Sequence, residues 1–148
     1  ERQQEQALKA QQDALWQQVV LGQSFAIDEE MSEKAQDIIL SAKQYLGVPY
    51  VWGGTSPAGF DCSGLMQWVF AQNGIGIPRV SQAQQASIKE IPISEVQPGD
   101  LVFWGRPAHH VALYIGDGYF IQAPQPGDVV KITHSSWYQF ESAGRVLQ

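Results

Sequence analysis

The sequence predicts an α+β fold, and three patterns carry that prediction. A helical repeat starts at Cys62, where Leu65, Met66, Val69 and Phe70 recur at spacings of three and four. Strand-like alternation runs from His110 to Ile115, with Val111, Leu113 and Ile115 on one face and His110, Ala112 and Tyr114 on the other. Turn signals such as Gln97-Pro98-Gly99-Asp100 and Gly116-Asp117-Gly118 punctuate further short strand-like runs.

The elements follow in chain order. Residues 1–30 form a Gln-rich extension or linker, in which Leu8, Leu15, Trp16 and Val19 mark one helix from about Gln3 to Leu21. That helix either packs on the domain or continues a coiled coil with an upstream domain or partner through residues 3–21. Gly22-Gln23-Ser24 ends it. Residues 31–148 form the folded domain. It opens on a helix from about Met31 to Leu46, whose Met31, Ala35, Ile38, Ile39, Ala42 and Tyr45 share a face; Gly47 and Pro49 stop it. A loop rich in glycine leads through Tyr50 and Trp52 to Asp61, a natural N-cap for the helix beginning at Cys62, which Asn73-Gly74 terminates. Ser81 to Gln85 suggests a short polar helix, Ile91-Pro92-Ile93 an extended piece, and Leu101 to Trp104 a strand. Beyond the His110 strand, Tyr119 to Ala123 reads as the returning strand, Val129 to Ile132 as another, and Gly144 to Leu147 as the last.

Register in the hairpin decides which side chains meet. A two-residue Asp117-Gly118 turn pairs Gln122 with Leu113, away from His110. A three-residue loop, Gly116 to Gly118, pairs Gln122 with Ala112 and brings it to the face of His110. The three-residue loop is the favoured expectation.

Cys62 is the only cysteine in the chain, so it closes no intramolecular disulfide. It is either a small buried hydrophobe or a reactive thiol. The first turn of a helix, with unpaired N–H groups and a positive dipole end, favours the thiolate. Such surroundings lower a cysteine pKa from about 8.5 to roughly 3.5–7.5. Attack on an acyl carbon then needs an imidazole to move the proton and a polar group to orient the ring. The order Cys62, His110, Gln122 supplies the three types. His109 competes with His110, but alternation puts it on the apolar face or in the preceding loop. His134, in Thr133-His134-Ser135-Ser136, reads as a solvated loop residue. The three histidines and scattered carboxylates show no metal-ligand spacing, and no metal or other cofactor is called for.

Tyr50-Val51-Trp52-Gly53-Gly54, Phe60-Asp61-Cys62-Ser63-Gly64-Leu65, Pro78-Arg79-Val80-Ser81-Gln82, Pro98-Gly99-Asp100-Leu101-Val102-Phe103-Trp104 and His110-Val111-Ala112-Leu113-Tyr114-Ile115-Gly116-Asp117-Gly118 resemble, in order, the motifs of the NlpC family of bacterial cell-wall cysteine peptidases. The resemblance covers about residues 35 to 148. It implies a minimal papain-like core, with the nucleophile helix packed on a small antiparallel sheet that carries the base. It implies hydrolysis of peptidoglycan stem peptides, usually between D-γ-glutamate and the next diamino acid. Gln122 falls at the family's third polar position. Val80 stands where the family more often has Thr, and the doubled His109-His110 is less usual.

Tyr50 and Trp52 flank the cysteine loop and could line a groove; for Trp52 core packing weighs equally. Asp61 has two compatible roles, as helix cap and as acceptor for a substrate amine. The resemblance supports the amine role, together with Tyr50 and Ser81. Ser63 and His109 complete the expected substrate contacts. The Cys62 N–H is the expected oxyanion donor. Two other readings share these residues: an amidase or transpeptidase, and a non-catalytic wall-binding module.

Composition sets the outer bounds. A chain of 148 residues suits one domain with a modest core. A net charge of −6 argues against a nucleic-acid partner, because a basic footprint is missing. No apolar run approaches the ~20 residues of a membrane span. The start at Glu1, without a signal peptide, reads as a mature or excised fragment. An extracellular, cell-wall or periplasmic location is implied only by the resemblance.

Overall fold

The computed structural model describes residues 32–147, so the expected helix at 3–21 and the extension at 1–30 lie outside the described residues. Helix α1 spans Glu33–Lys43, with Ser32 as N-cap accepting from the Ala35 N–H. Of its expected apolar face, Met31 lies outside the described residues; Ala35, Ile38, Ile39 and Ala42 are buried, and Tyr45 follows in the succeeding turn. The helix is shorter at its C-terminal end than its pattern suggested, because turns replace it before Gly47 (φ 90°).

A small hairpin, β1 (Thr55–Ser56) and β2 (Gly59–Phe60), leads into helix α2 (Cys62–Gln72). Asp61 caps α2, its Oδ1 accepting from the Gly64 N–H at 2.7 Å. The short polar helix is α3 (Ser81–Ser87). Strand β3 (Lys89–Ile91) precedes a 3-10 turn at Ile93–Glu95, so the extended piece ends before Ile93. Strands β4 (Leu101–Trp104), β5 (His110–Gly116), β6 (Tyr119–Gln122), β7 (Lys131–His134) and β8 (Ser142–Arg145) complete the fold.

One antiparallel six-stranded sheet runs in the order β3-β8-β4-β5-β6-β7. Its two faces have separate cores. Leu101, Phe103, Val111, Leu113, Ile115 and Ile121 pack against Leu65, Met66, Val69 and Phe70 of α2 and against Ile38 and Ile39 of α1. On the other face Trp104, Ala112, Tyr114, Phe120 and Phe140 form a second cluster. Burial of these large side chains at roughly 1.5–3 kcal/mol each holds α2 on β5.

Three expectations need correction. The turn between β5 and β6 is the two-residue Asp117-Gly118, with φ 54° and 85°, and Gly116 pairs with Tyr119. A bulge between Tyr114 and Gly116 then shifts the ladder so that Tyr114 faces Phe120 and Leu113 faces Ile121. Continued one step, this register sets Gln122 opposite Ala112, the outcome expected of the three-residue loop. The strand expected at Val129 to Ile132 lies two residues later. Val130 instead exchanges backbone hydrogen bonds with Gly47 and Val48 at 2.9 and 2.8 Å, and so ties the 47–50 segment to the sheet. Finally, the last strand is Ser142–Arg145, two residues earlier than expected. Its small residues conceal it: a Cβ on Gly144 would press on the Ile88 side chain.

Candidate active site

Cys62 opens α2 and lies where that helix meets β5. Its thiol is in hydrogen-bonding range of the Val111 backbone N–H, one residue beyond His110. Burial pushes the thiol up in pKa, the dominant influence, and the Asp61 carboxylate adds to it. The N–H groups of Val111, Ser63 and Cys62 itself pull the other way without prevailing. The helix start therefore does not make a resting thiolate; the expectation drawn from the dipole alone omitted desolvation.

His110 is the first residue of β5 and is only 6% exposed. Its Nε2 lies 2.8 Å from Gln122 Oε1, and Gln122 Nε2 donates to Thr133 Oγ1 at 2.9 Å. A carbonyl oxygen can only accept, so Nε2 carries the ring proton. Nδ1 is left with its lone pair. The His110 pKa is lowered to about 4, chiefly by burial and also by neighbouring His109, with the Gln122 bond partly opposing them. The ring is thus neutral at pH 7. Aromatic side chains supply much of this desolvation: the Trp104 ring centroid is 4.9 Å from that of His110, and Tyr138 stacks on Trp104 at 4.5 Å.

Asp61 is held on several sides. Arg79 donates to Oδ1 at 3.1 Å and to Oδ2 at 2.8 Å, and Ser63 Oγ donates to Oδ1 at 3.3 Å. With the cap bond to Gly64, Oδ1 is fully engaged and only Oδ2 keeps acceptor capacity. Tyr50 lies within electrostatic range of Cys62, Asp61 and Arg79. Its N–H donates to the Asp128 carbonyl at 2.9 Å. Trp52 is 84% exposed, which settles its place outside the core.

Two expected substrate contacts are turned inward. Ser63 is buried and bonded to Asp61 and Arg79, and Ser81 is buried and donates to the Ala108 carbonyl at 2.9 Å. They brace the cysteine helix and the loop before β5, respectively. His109 lies in that loop, exposed, and lines a cavity of about 290 Å³ beyond His110. His134 belongs to β7 and not to a loop; its Nε2 faces the Asp117 carbonyl at 3.1 Å.

Several residues at the site were not legible beforehand. Thr133 escaped because the strand carrying it was placed too early. Arg79 stands in a motif, but nothing in the sequence pairs it with Asp61. Gln84, in a helix that reads as polar, is wholly buried and donates to the carbonyls of Ser63 (3.1 Å) and Pro78 (2.8 Å).

A half-buried thiol at a helix start, bonded to the N–H next to an imidazole that an amide holds on an antiparallel sheet, places the molecule among α+β proteins with a thiol–imidazole site. Comparison with known proteins narrows this. Residues 47–143 match the model of the NlpC/P60 family, and the chain belongs to that family. It is 47% identical over 106 residues to a probable endopeptidase p60 of Listeria seeligeri, covering 70% of this chain and 20% of that protein. It is 43% identical over 103 residues to a gamma-D-glutamyl-L-lysine dipeptidyl-peptidase of Bacillus subtilis strain 168, covering 66% and 35%. The crystal structure of the NlpC/p60 domain of peptidoglycan hydrolase SagA superposes with a TM-score of 0.73 at 40% identity, covering 76% of this chain and 98% of that one. The chain spans about a fifth to a third of the curated relatives' length. Among the described residues, no helix is long and apolar enough to cross a membrane.

Proposed function

We propose that this chain is a peptidoglycan endopeptidase that hydrolyses stem peptides between D-γ-glutamate and the following diamino acid through Cys62, His110 and Gln122. One observation carries the reading: the Gln122 bond at 2.8 Å holds the proton on His110 Nε2 and leaves Nδ1 to serve as base. The dipeptidyl-peptidase relative, named for a γ-D-glutamyl-L-lysine bond, supports the choice of bond.

In this mechanism His110 Nδ1 takes the Cys62 proton as sulfur attacks the γ-carbonyl. The Cys62 N–H is the candidate donor to the developing oxyanion. Collapse transfers the proton from Nδ1 to the departing amine and leaves a thioester. Water, deprotonated by the same nitrogen, then releases the acid and restores the thiol. Gln122 adds no charge, so it orients the ring more than it stabilises imidazolium. Tyr50, Trp52, the remaining capacity of Asp61 Oδ2, and His109 contact the substrate. Ser63 and Ser81 hold these groups in place.

Domain roles follow the same reading. Residues 31–148 form the peptidase domain, residues 1–30 are an extension or linker to it, and the enzyme works outside the cytoplasmic membrane, at the wall or in the periplasm. Purified muropeptides incubated with the protein and with Cys62→Ala test it. Mass spectrometry should find cleavage after D-glutamate by the former alone. Intact muropeptides in both, with Cys62 inert to iodoacetamide, would refute it.

A further inference from the structure

The cavity beyond His110 has an ion pair in its wall. Lys131 Nζ lies 3.1 Å from Asp128 Oδ2, with the two side chains 12% and 26% exposed. Lys131 opens β7 opposite Gln122, and Thr133 follows two residues on, so Lys131, Thr133, Gln122 and His110 share one face of the sheet. Asp128 Oδ1 accepts from the Val129 N–H at 2.8 Å, which fixes the carboxylate toward Lys131. The remaining walls include Gln125, Trp137 and Tyr138.

The reaction dictates what enters this space. His110 must deliver a proton to the departing amine, so the part of the substrate that leaves lies on the His110 side of Cys62. The cavity of about 290 Å³ is lined by His110 itself and by the ion pair, so a side chain on the departing residue projects toward Asp128 and Lys131. A lone ammonium placed there meets Lys131, and a lone carboxylate meets Asp128; each gains one contact and suffers one repulsion. A group carrying both charges gains at both ends. Partial burial of the pair keeps solvent from screening the difference.

We propose that the Asp128–Lys131 pair is a specificity determinant for the departing residue, selecting a diamino dicarboxylic acid, whose side chain ends in both an ammonium and a carboxylate, over a diamino acid that ends in an ammonium alone. This rests on the peptidase reading above. The substrate ammonium sits against Asp128 and its carboxylate against Lys131.

The test compares kcat/KM for two synthetic stem peptides that differ only in the departing residue, diaminopimelate or lysine. Wild type should prefer the dicarboxylic stem by about tenfold or more. Asp128→Asn and Lys131→Met should each bring that ratio toward one, mainly through KM, and Lys131→Arg should retain it. Thermal melts of each variant establish folding, and Lys131→Arg keeps the comparison informative if a neutral variant is unstable. A wild-type ratio near one, or a ratio that survives both neutral substitutions, would overturn the inference while leaving the peptidase intact. Failure of wild type to cleave either stem would remove the peptidase reading and this inference with it.

Discussion

Arg79 grips Asp61 with both terminal nitrogens, at 3.1 and 2.8 Å, beside the first turn of the cysteine helix. The same carboxylate caps that helix and, through its charge, raises the Cys62 pKa. Arg79 is thus the counter-charge that lets a carboxylate sit near a thiol that must ionise. Replacement by Met leaves Asp61 uncompensated. Arg79→Met should cost about 1–3 kcal/mol in urea unfolding, since the pair is only partly buried. It should also slow Cys62 alkylation at pH 8 relative to wild type. An unchanged alkylation rate would separate Arg79 from the thiol.

Gln122 orients His110, and Thr133 orients Gln122. Gln122→Ala should lower kcat by roughly 10²-fold with little change in KM, because ring placement serves the proton transfers and not ground-state binding. Thr133→Val removes one hydrogen bond, worth about 1 kcal/mol, and should reduce kcat by several-fold only. Gln122→His should recover part of the loss, as an alternative acceptor for the Nε2 proton. Steady-state kinetics on a muropeptide substrate distinguishes these outcomes.

The pKa of His110, about 4, ties stability to pH. Its value in the folded state lies below the ordinary 6.5, so the unfolded chain binds the proton more readily. The associated stability is complete above pH 6.5 and falls as pH drops toward 4. The shift corresponds to a loss on the order of 3 kcal/mol across that window. Melting temperatures at pH 7 and pH 4.5 should therefore differ more for wild type than for His110→Gln. The acid limb of kcat/KM should likewise lie well below pH 6.5; an acid limb at or above 6.5 would contradict a buried, neutral ring.

Gly64 lets the loop before the cysteine approach α2. A Cβ there would overlap the carbonyl oxygen of Gly54, a rigid backbone atom whose own residue receives the Asp61 N–H. Gly64→Ala should destabilise the protein by about 1–3 kcal/mol and displace the segment bearing Tyr50 and Trp52. Increased proteolysis at 51–54, together with a raised KM, is the expected signature.

Much of this was legible in the sequence because local chemistry wrote it there. The Asp61 cap, the apolar repeat of α2 and the alternation of β5 each follow from side chains a few residues apart. What escaped depends on partners distant along the chain. Arg79 finds Asp61, Gln84 finds Ser63, and Val130 binds Val48; no periodicity encodes such pairings. The thiol illustrates a different limit. A helix start can be read from sequence, whereas the burial that outweighs it at Cys62 belongs to the whole core. Strand β8 escapes the pattern because Ala143 and Gly144 give a weak strand signal, although the Ile88 side chain over Gly144 leaves no room for a Cβ there.

The bulge at Ile115 makes the hairpin an exercise in parity. An odd number of residues, 115 to 119, separates Tyr114 from Phe120, and a two-residue turn can close it only by leaving one of them, Ile115, without a partner. With this sequence, a tight turn and no bulge would set Ile121 opposite Tyr114 and Gln122 opposite Leu113, driving Gln122 into the apolar core under α2. A chain lacking Ile115 would close the same tight turn with no residue to spare and keep Tyr114 opposite Phe120 and Gln122 opposite Ala112, so the hairpin can lose its bulge and keep its chemistry.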